Sequence, residues 1–307
     1  MNEVIHTENL TRHFGSVHAV EDLNLCVRKG EIYGFLGLNG AGKTTTIRML
    51  LGMIHPTNGT SYINGRKVKS TDHTLWNDIG YLVEIPFSYP DLSVQENLEI
   101  IRRLRYVHDA GRVDEIIGKL RLGPYRHMKC RNLSLGNAQR LGLAKAMIHR
   151  PQILLLDEPA NGLDPAGIVE IREMLVSLAM NEGVTIFISC HILGEISRFA
   201  TRIGIIHEGR LVQESDIEAL TLSRHRCLQA DMHDREGAGR ILEEHGYQVT
   251  HARDRFLEIT GHDALTSPEK VAALLVTAGY PPTMLKVEEE DLEAFFFRTI
   301  NKRGGVS

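Results

Sequence analysis

No stretch of the sequence approaches the roughly 18 to 20 apolar residues that a helix needs to cross a bilayer, so if the chain works at a membrane another chain does the spanning. The first ten residues, MNEVIHTENL, are polar and acidic and lack the apolar centre of a signal peptide. Cysteine is sparse. Cys26, Cys130, Cys190 and Cys227 follow neither CxxC nor CxxH spacing, so they indicate neither a zinc site nor a disulfide framework, and a reducing cytosol fits. An excess of basic charge is missing too: 35 Lys and Arg stand against 39 Asp and Glu, a net charge of -4. Binding to a phosphate backbone is driven by Lys and Arg, and no nucleic-acid partner is expected. No internal repeat or low-complexity run appears.

What remains is an ordinary globular composition, 42% hydrophobic and 24% charged, on a chain of 307 residues, long enough for two domains. Residues 3 to 35 read as short strands. KGEIYGFLGLNG reads as a strand ending in a glycine-rich turn, and KTTTIRMLLGMI as the helix after it. From Asp91 to about Arg131 apolar residues recur three and four apart, which predicts a helical insertion. PQILLLDEP and GVTIFISCH then read as buried strands separated by a helix from about Ala166 to Met180, and TRIGIIHEGRLV as a hairpin. This pattern calls for a largely parallel sheet with covered faces. Past Arg224 the order becomes βαββαβ, the ferredoxin-like split motif, followed by a last helix. The expected boundary falls between residues 222 and 223, with residues 1–222 as one domain, a helical subdomain at about 86–135, and residues 223–307 as the other.

The chemistry concentrates in three places. GLNGAGKT, formed by Gly37, Leu38, Asn39, Gly40, Ala41, Gly42, Lys43 and Thr44, satisfies G-x-x-x-x-G-K-[ST] between a strand and a helix. In that setting backbone N–H groups and a helix start cradle phosphates, Lys43 reaches the β- and γ-phosphates, Thr44 offers its hydroxyl to Mg²⁺, and Thr45 helps hold the α-phosphate. ILLLDEP drives Asp157 and Glu158 to the carboxyl end of a buried strand. Asp157 suits the Mg²⁺ shell, and Glu158 suits polarising a water for attack on the γ-phosphate. His191, closing the next strand in ISCH, falls at the same sheet edge if the two strands are parallel neighbours.

These motifs, with LSLGNAQR at Leu133 to Arg140 and NGLDP at Asn161 to Pro165, resemble the ATP-binding subunits of ABC transporters from residue 3 to about 220. The resemblance implies an α/β P-loop ABC ATPase core with a helical subdomain, and ATP and Mg²⁺ as ligands. It makes LSLGNAQR the signature, in which Ser134 and Gly136 match while Leu135 and Asn137 depart, and His191 the switch histidine. In that family the signature of one subunit clamps the nucleotide of another. A second cassette is therefore implied, most simply a copy related by a two-fold axis, with Ser134, Gly136, Asn137 and Asp164 at the interface. Phe14, in RHFG, takes the place of the aromatic residue that stacks on adenine.

Glu84, in IGYLVEIP, stands where the family carries Gln, at the contact with Mg²⁺ and the attacking water. A Glu there resembles the exporters of bacitracin and lantibiotic peptides. A carboxylate repels a triphosphate unless a metal lies between them, so Glu84 is expected to increase dependence on Mg²⁺. The whole implies an ATPase motor working through a separate integral membrane permease at the cytoplasmic face of the cell membrane. Its cargo would be a peptide antibiotic such as bacitracin or a lantibiotic. A soluble ABC ATPase outside transport, and an importer motor, are the alternatives.

Overall fold

The structure is a computed structural model that describes residues 3–72, 74–84, 86–222, 224–251 and 256–304. Ser223, where the second domain was expected to begin, lies outside the described residues, as do the first two and last three positions. The chain divides into two compact units, Met1–Ile217 together with Lys302–Ser307, and Glu218–Asn301.

The first unit is organised by a six-stranded sheet. Its order is Arg210–Asp216, Arg202–His207, Ile32–Leu36, Thr185–Cys190, Ile153–Asp157, Ile79–Leu82. All neighbours are parallel except the first pair, the expected hairpin. Ile32–Leu36 and Ile153–Asp157 are buried along their whole length, which is why both read as unbroken apolar runs rather than alternating ones. An antiparallel sheet built on Glu3–Phe14, Val17–Leu23 and Asn58–Ile63 shares one core with it. In that core Ile5 and Leu10 pack together with Phe35, Leu155, Phe187 and the helix residues Ile47 and Leu50.

The insertion from Asp91 to about Arg131 is helical, as expected. Ser93 begins the helix Val94–Leu104 with a reciprocal cap, its hydroxyl accepting from Glu96 N and the Glu96 carboxylate accepting from Ser93 N. A shorter helix, Arg112–Lys119, follows, and the long helix Leu135–Met147 returns the chain to the sheet. Arg112 ties the last two together. It is 4% exposed, and its guanidinium donates to the carbonyls of Ile148 (2.9 Å) and Met147 (2.7 Å) at the negative end of the long helix, where Met147 O also accepts from Arg150 N.

The second unit is a four-stranded antiparallel sheet in the order Gln248–His251, Leu257–Thr260, Arg226–Asp231, Met284–Glu289. Taking its strands in chain order, this is 4-1-3-2 read from Met284–Glu289, the ferredoxin-like arrangement. Helices Arg235–Glu244 and Pro268–Thr277 supply Leu242, Val271 and Leu275 to a core with Leu228, Leu257 and Ile259.

Candidate functional site

The loop Gly37–Gly42 leaves the end of the strand Ile32–Leu36 and enters the helix Lys43–Leu50. Gly42 is required there. Its φ is +107°, and an added Cβ would lie 2.4 Å from the carbonyl of Ala19. Leu38, Asn39 and Gly40 form the exposed crest and Ala41 is buried beneath it. Lys43 is only 5% exposed. Its ammonium folds back over the loop, donating to the carbonyls of Gly37 (2.7 Å) and Leu38 (3.2 Å) and lying 3.3 Å from Glu158 Oε1. Thr45 is half-buried one residue beyond Thr44.

Thr44 Oγ1 donates to Asp157 Oδ2 at 2.7 Å. The other oxygen of Asp157 accepts from Ser189 Oγ at 2.6 Å, and the same hydroxyl accepts from the backbone N–H of Glu158 at 3.0 Å. Ser189 therefore orients both acidic positions at once. Sequence reasoning passed over it, although it lies two residues before His191. The available signal was register, since Asp157 pairs directly with Ser189 across adjacent parallel strands. A hard divalent cation takes carboxylate and hydroxyl oxygens, and the Thr44–Asp157 pair fits one.

Glu158 has a positive φ of +47°, rare for a residue with a side chain and a mark of strain held by its surroundings. Three groups converge on its carboxylate: Lys43, Asn161 Nδ2 at 2.6 Å from Oε2, and His191 Nδ1 at 3.3 Å from the same oxygen. Burial pushes the carboxyl pKa up, but the hydrogen bond from Asn161 and the charges of Lys43 and His191 outweigh it and hold the group below its ordinary range. Asn161 is the second residue whose part was missed. It was noted only as a letter of NGLDP.

The remaining candidates lie elsewhere in the unit. Ser134 caps the helix Leu135–Met147, accepting from Asn137 N at 3.3 Å. Asp164 caps Pro165–Glu182, accepting from Gly167 N at 3.0 Å. Leu135 is 61% exposed and covers Gly162, where a Cβ would fall 2.4 Å from Leu135 Cδ2. The signature helix and the NGLDP loop thus form one exposed surface that includes Gly136. Among the described residues, no hydrogen bond or ion pair joins Ser134, Gly136, Asn137 or Asp164 to Lys43, Thr44, Asp157 or Glu158. Phe14 ends its strand 45% exposed, with the Arg12 guanidinium 4.4 Å over its ring.

Glu84 is the one expected metal and water contact that the structure leaves outside the cluster. It is 57% exposed, has φ +57°, and pairs with Arg48 at 2.5 Å, one helical turn beyond Thr44. Among the described residues, no hydrogen bond or ion pair joins it to Thr44, Asp157 or Glu158. Arg48 took no part in the sequence reading, and its contact with Glu84 depends on the fold bringing residues 36 positions apart together.

Residues 20–161 match the family described as ABC transporter. The chain is 39% identical to the bacitracin transport ATP-binding protein BcrA of Bacillus licheniformis, over 98% of both chains. It is 40% identical to the protein of the same name from Enterococcus faecalis, over 100% of this chain and 99% of the relative. The lantibiotic transport ATP-binding protein SrtF of Streptococcus pyogenes is 36% identical over 69% of this chain and 90% of its own. Among solved structures, a dimeric ATP-binding cassette in a post-hydrolysis state, bound to ADP and Pi, superposes with a TM-score of 0.64 at 25% identity. It covers 69% of this chain and 98% of its own.

Proposed function

The chain belongs to the ATP-binding proteins of ABC transporters, which bind and hydrolyse ATP, and from that membership we propose that it is the motor of an exporter for a peptide antibiotic of the bacitracin or lantibiotic kind. The observation that carries this reading is the reach of the match. The two bacitracin transport relatives align over 98% and 100% of the chain, and so include the second unit, which the cassette structure at 69% coverage does not need.

On this reading residues 1–222 are the ATP-binding domain, residues 223–307 an accessory domain, and the helical region 86–135 the place where the membrane permease docks. Lys43 leaves the loop carbonyls for the β- and γ-phosphates, Thr45 supports the α-phosphate, and Phe14 stacks on adenine. Thr44 and Asp157 would hold Mg²⁺, whose charge offsets that of the phosphates. Withdrawing the Lys43 ammonium removes one of the charges that depress Glu158, leaving that carboxylate better able to take a proton from the attacking water. His191 orients the Glu158 carboxylate. The exposed surface of Ser134, Gly136, Asn137 and Asp164 finds its nucleotide in a second copy, two ATP lying between two chains. The pair works at the cytoplasmic face of the membrane, held there by the permease.

The test uses tagged Glu158→Gln, expressed in the native host and recovered from detergent-solubilised membranes with ATP present. Copurification of an integral membrane protein in stoichiometric amount supports the motor. Recovery of only soluble partners, ribosomes or DNA overturns it.

A further inference from the structure

The hairpin Glu3–Phe14 and Val17–Leu23 carries a cluster that the nucleotide chemistry does not use. His13 and His18 face each other directly across its strands, their rings stacked with centroids 4.0 Å apart. The pairing then jumps from His13–His18 to Arg12–Val20, leaving Ala19 as an extra residue on the second strand. In an unbroken strand residues three apart point to opposite faces. Here the bulge re-aims the chain, and His18 Nδ1 lies 3.2 Å from Glu21 Oε2. Each of His13, His18 and Glu21 offers a ligand atom within 4.8 Å of the others, the only such group of three His, Cys, Asp or Glu among the described residues.

We propose that His13, His18 and Glu21 form a binding site for a borderline divalent cation of the zinc type. Two imidazoles and one carboxylate are the donors such an ion selects, whereas Mg²⁺ takes oxygen ligands almost alone. Bonds of about 2.0–2.1 Å in a tetrahedron put ligand atoms about 3.3–3.4 Å apart, close to the separation already present between His18 and Glu21. Two further observations point the same way. His13 Nε2 is buried without a hydrogen-bond partner, an orphaned donor or acceptor that a ligand would satisfy. The other Glu21 oxygen, Oε1, is held by Arg210 at 3.0 Å, and the backbone of His13 is held by Thr57 Oγ1 at 3.0 Å, so the supporting contacts leave Oε2 and the rings for the metal. Three protein ligands leave one position for water. The bound ion clips together two strands next to Phe14. Glu21 is itself joined to the phosphate loop through Gly209, which accepts from Glu21 N and donates to Ala41 O.

No cysteine takes part, and the spacing His-x₄-His-x₂-Glu has no meaning without the bulge. The test is titration of untagged, chelator-stripped protein with Zn²⁺ in competition with a chromophoric chelator, repeated for His18→Asn, Glu21→Gln and the double variant His13→Asn with His18→Asn. His18 is 54% exposed, so its replacement leaves the fold intact, which circular dichroism checks. The expected result is one tight equivalent per chain, weakened by at least about tenfold in each single variant and lost in the double variant. Co²⁺ should give the visible absorption of a tetrahedral site in the parent alone. Equal tight binding in parent and double variant, or no binding in the parent above that of the double variant, overturns the site.

Discussion

Lys43 Nζ and Glu158 Oε1 stand 3.3 Å apart, joining the phosphate loop to the acid that follows the buried strand Ile153–Asp157, with the strand Thr185–Cys190 lying between the two in the sheet. The lysine is thus shared between the loop carbonyls and the Glu158 carboxylate, and in the proposed mechanism nucleotide competes for it. Removing the carboxylate charge while keeping its shape should separate binding from chemistry. Glu158→Gln is expected to retain nucleotide binding, measured with a fluorescent ATP analogue, while single-turnover hydrolysis falls roughly a hundred- to ten-thousand-fold.

Ser189→Ala deletes the hydroxyl that serves Asp157 and the Glu158 N–H together. Leaving these groups unsatisfied costs about 1–3 kcal/mol. Because Asp157 then loses its orientation, the Mg²⁺ concentration at half-maximal ATPase activity should rise several-fold, with the melting temperature only modestly reduced. An unchanged Mg²⁺ midpoint would show that Asp157 keeps its place without Ser189.

Glu84 sits in an exposed ion pair with Arg48, the kind that contributes at most about 1 kcal/mol to stability. Replacing it should therefore report on the nucleotide rather than the fold. If Glu84 faces the nucleotide as the family resemblance implies, Glu84→Gln should move the Mg²⁺ midpoint of the ATPase to lower concentration at constant melting temperature. A midpoint that does not move sinks the idea.

His149 gives the molecule an acid limit. Burial, then the charge of Arg105, push its pKa down from 6.5 to about 4 against the pull of the Ile79 carbonyl, with Arg112 adding to the effect. Nε2 lies 3.0 Å from the Ile79 carbonyl, while buried Nδ1 has no partner, so a second proton finds no acceptor. The folded chain refuses a proton that the unfolded chain accepts. The contribution is complete above pH 6.5 and is lost as pH falls from 6.5 towards 4, about 1–2 kcal/mol after allowing for solvent access. Denaturant unfolding between pH 7 and 4.5 should show a smaller loss in His149→Gln than in the parent.

Arg112→Met keeps the length of the aliphatic stem and removes the two bonds to the end of the long helix. Bonds from a charged donor to buried carbonyls are the stronger kind, and the variant should lose roughly 2–3 kcal/mol in denaturant unfolding. Nucleotide affinity at the distant phosphate loop should stay within about twofold.

The parts of this site legible in the sequence were those whose chemistry is local. Gly37 to Thr44 form one turn whose spacing alone demands a phosphate, and Asp157 and Glu158 end an apolar run that no solvated segment would need. The alternating order of strands and helices likewise pointed to the parallel sheet, and βαββαβ to the second unit. What stayed hidden depends on contacts between strands and helices far apart in the chain. Ser189 becomes an orienting group only because two strands pair in one register. Arg48 meets Glu84, and Arg112 meets the end of another helix, only in the folded unit. The left-handed backbone of Glu84 and Glu158 is likewise set by the surroundings, since neither residue type favours it.

The bond from Thr44 to Asp157 spans 113 residues, and Asp157 is completed by Ser189 a further 32 residues on. Closing segments of this length is among the slower events of folding. During synthesis the phosphate loop leaves the ribosome early, complete in sequence and without the carboxylates that finish it. The nascent chain therefore passes through a long interval in which it carries the motif for ATP but lacks the assembled pocket. A nucleotide that needs Thr44 and Asp157 together can favour the folded form only after the segment through Ser189 has emerged.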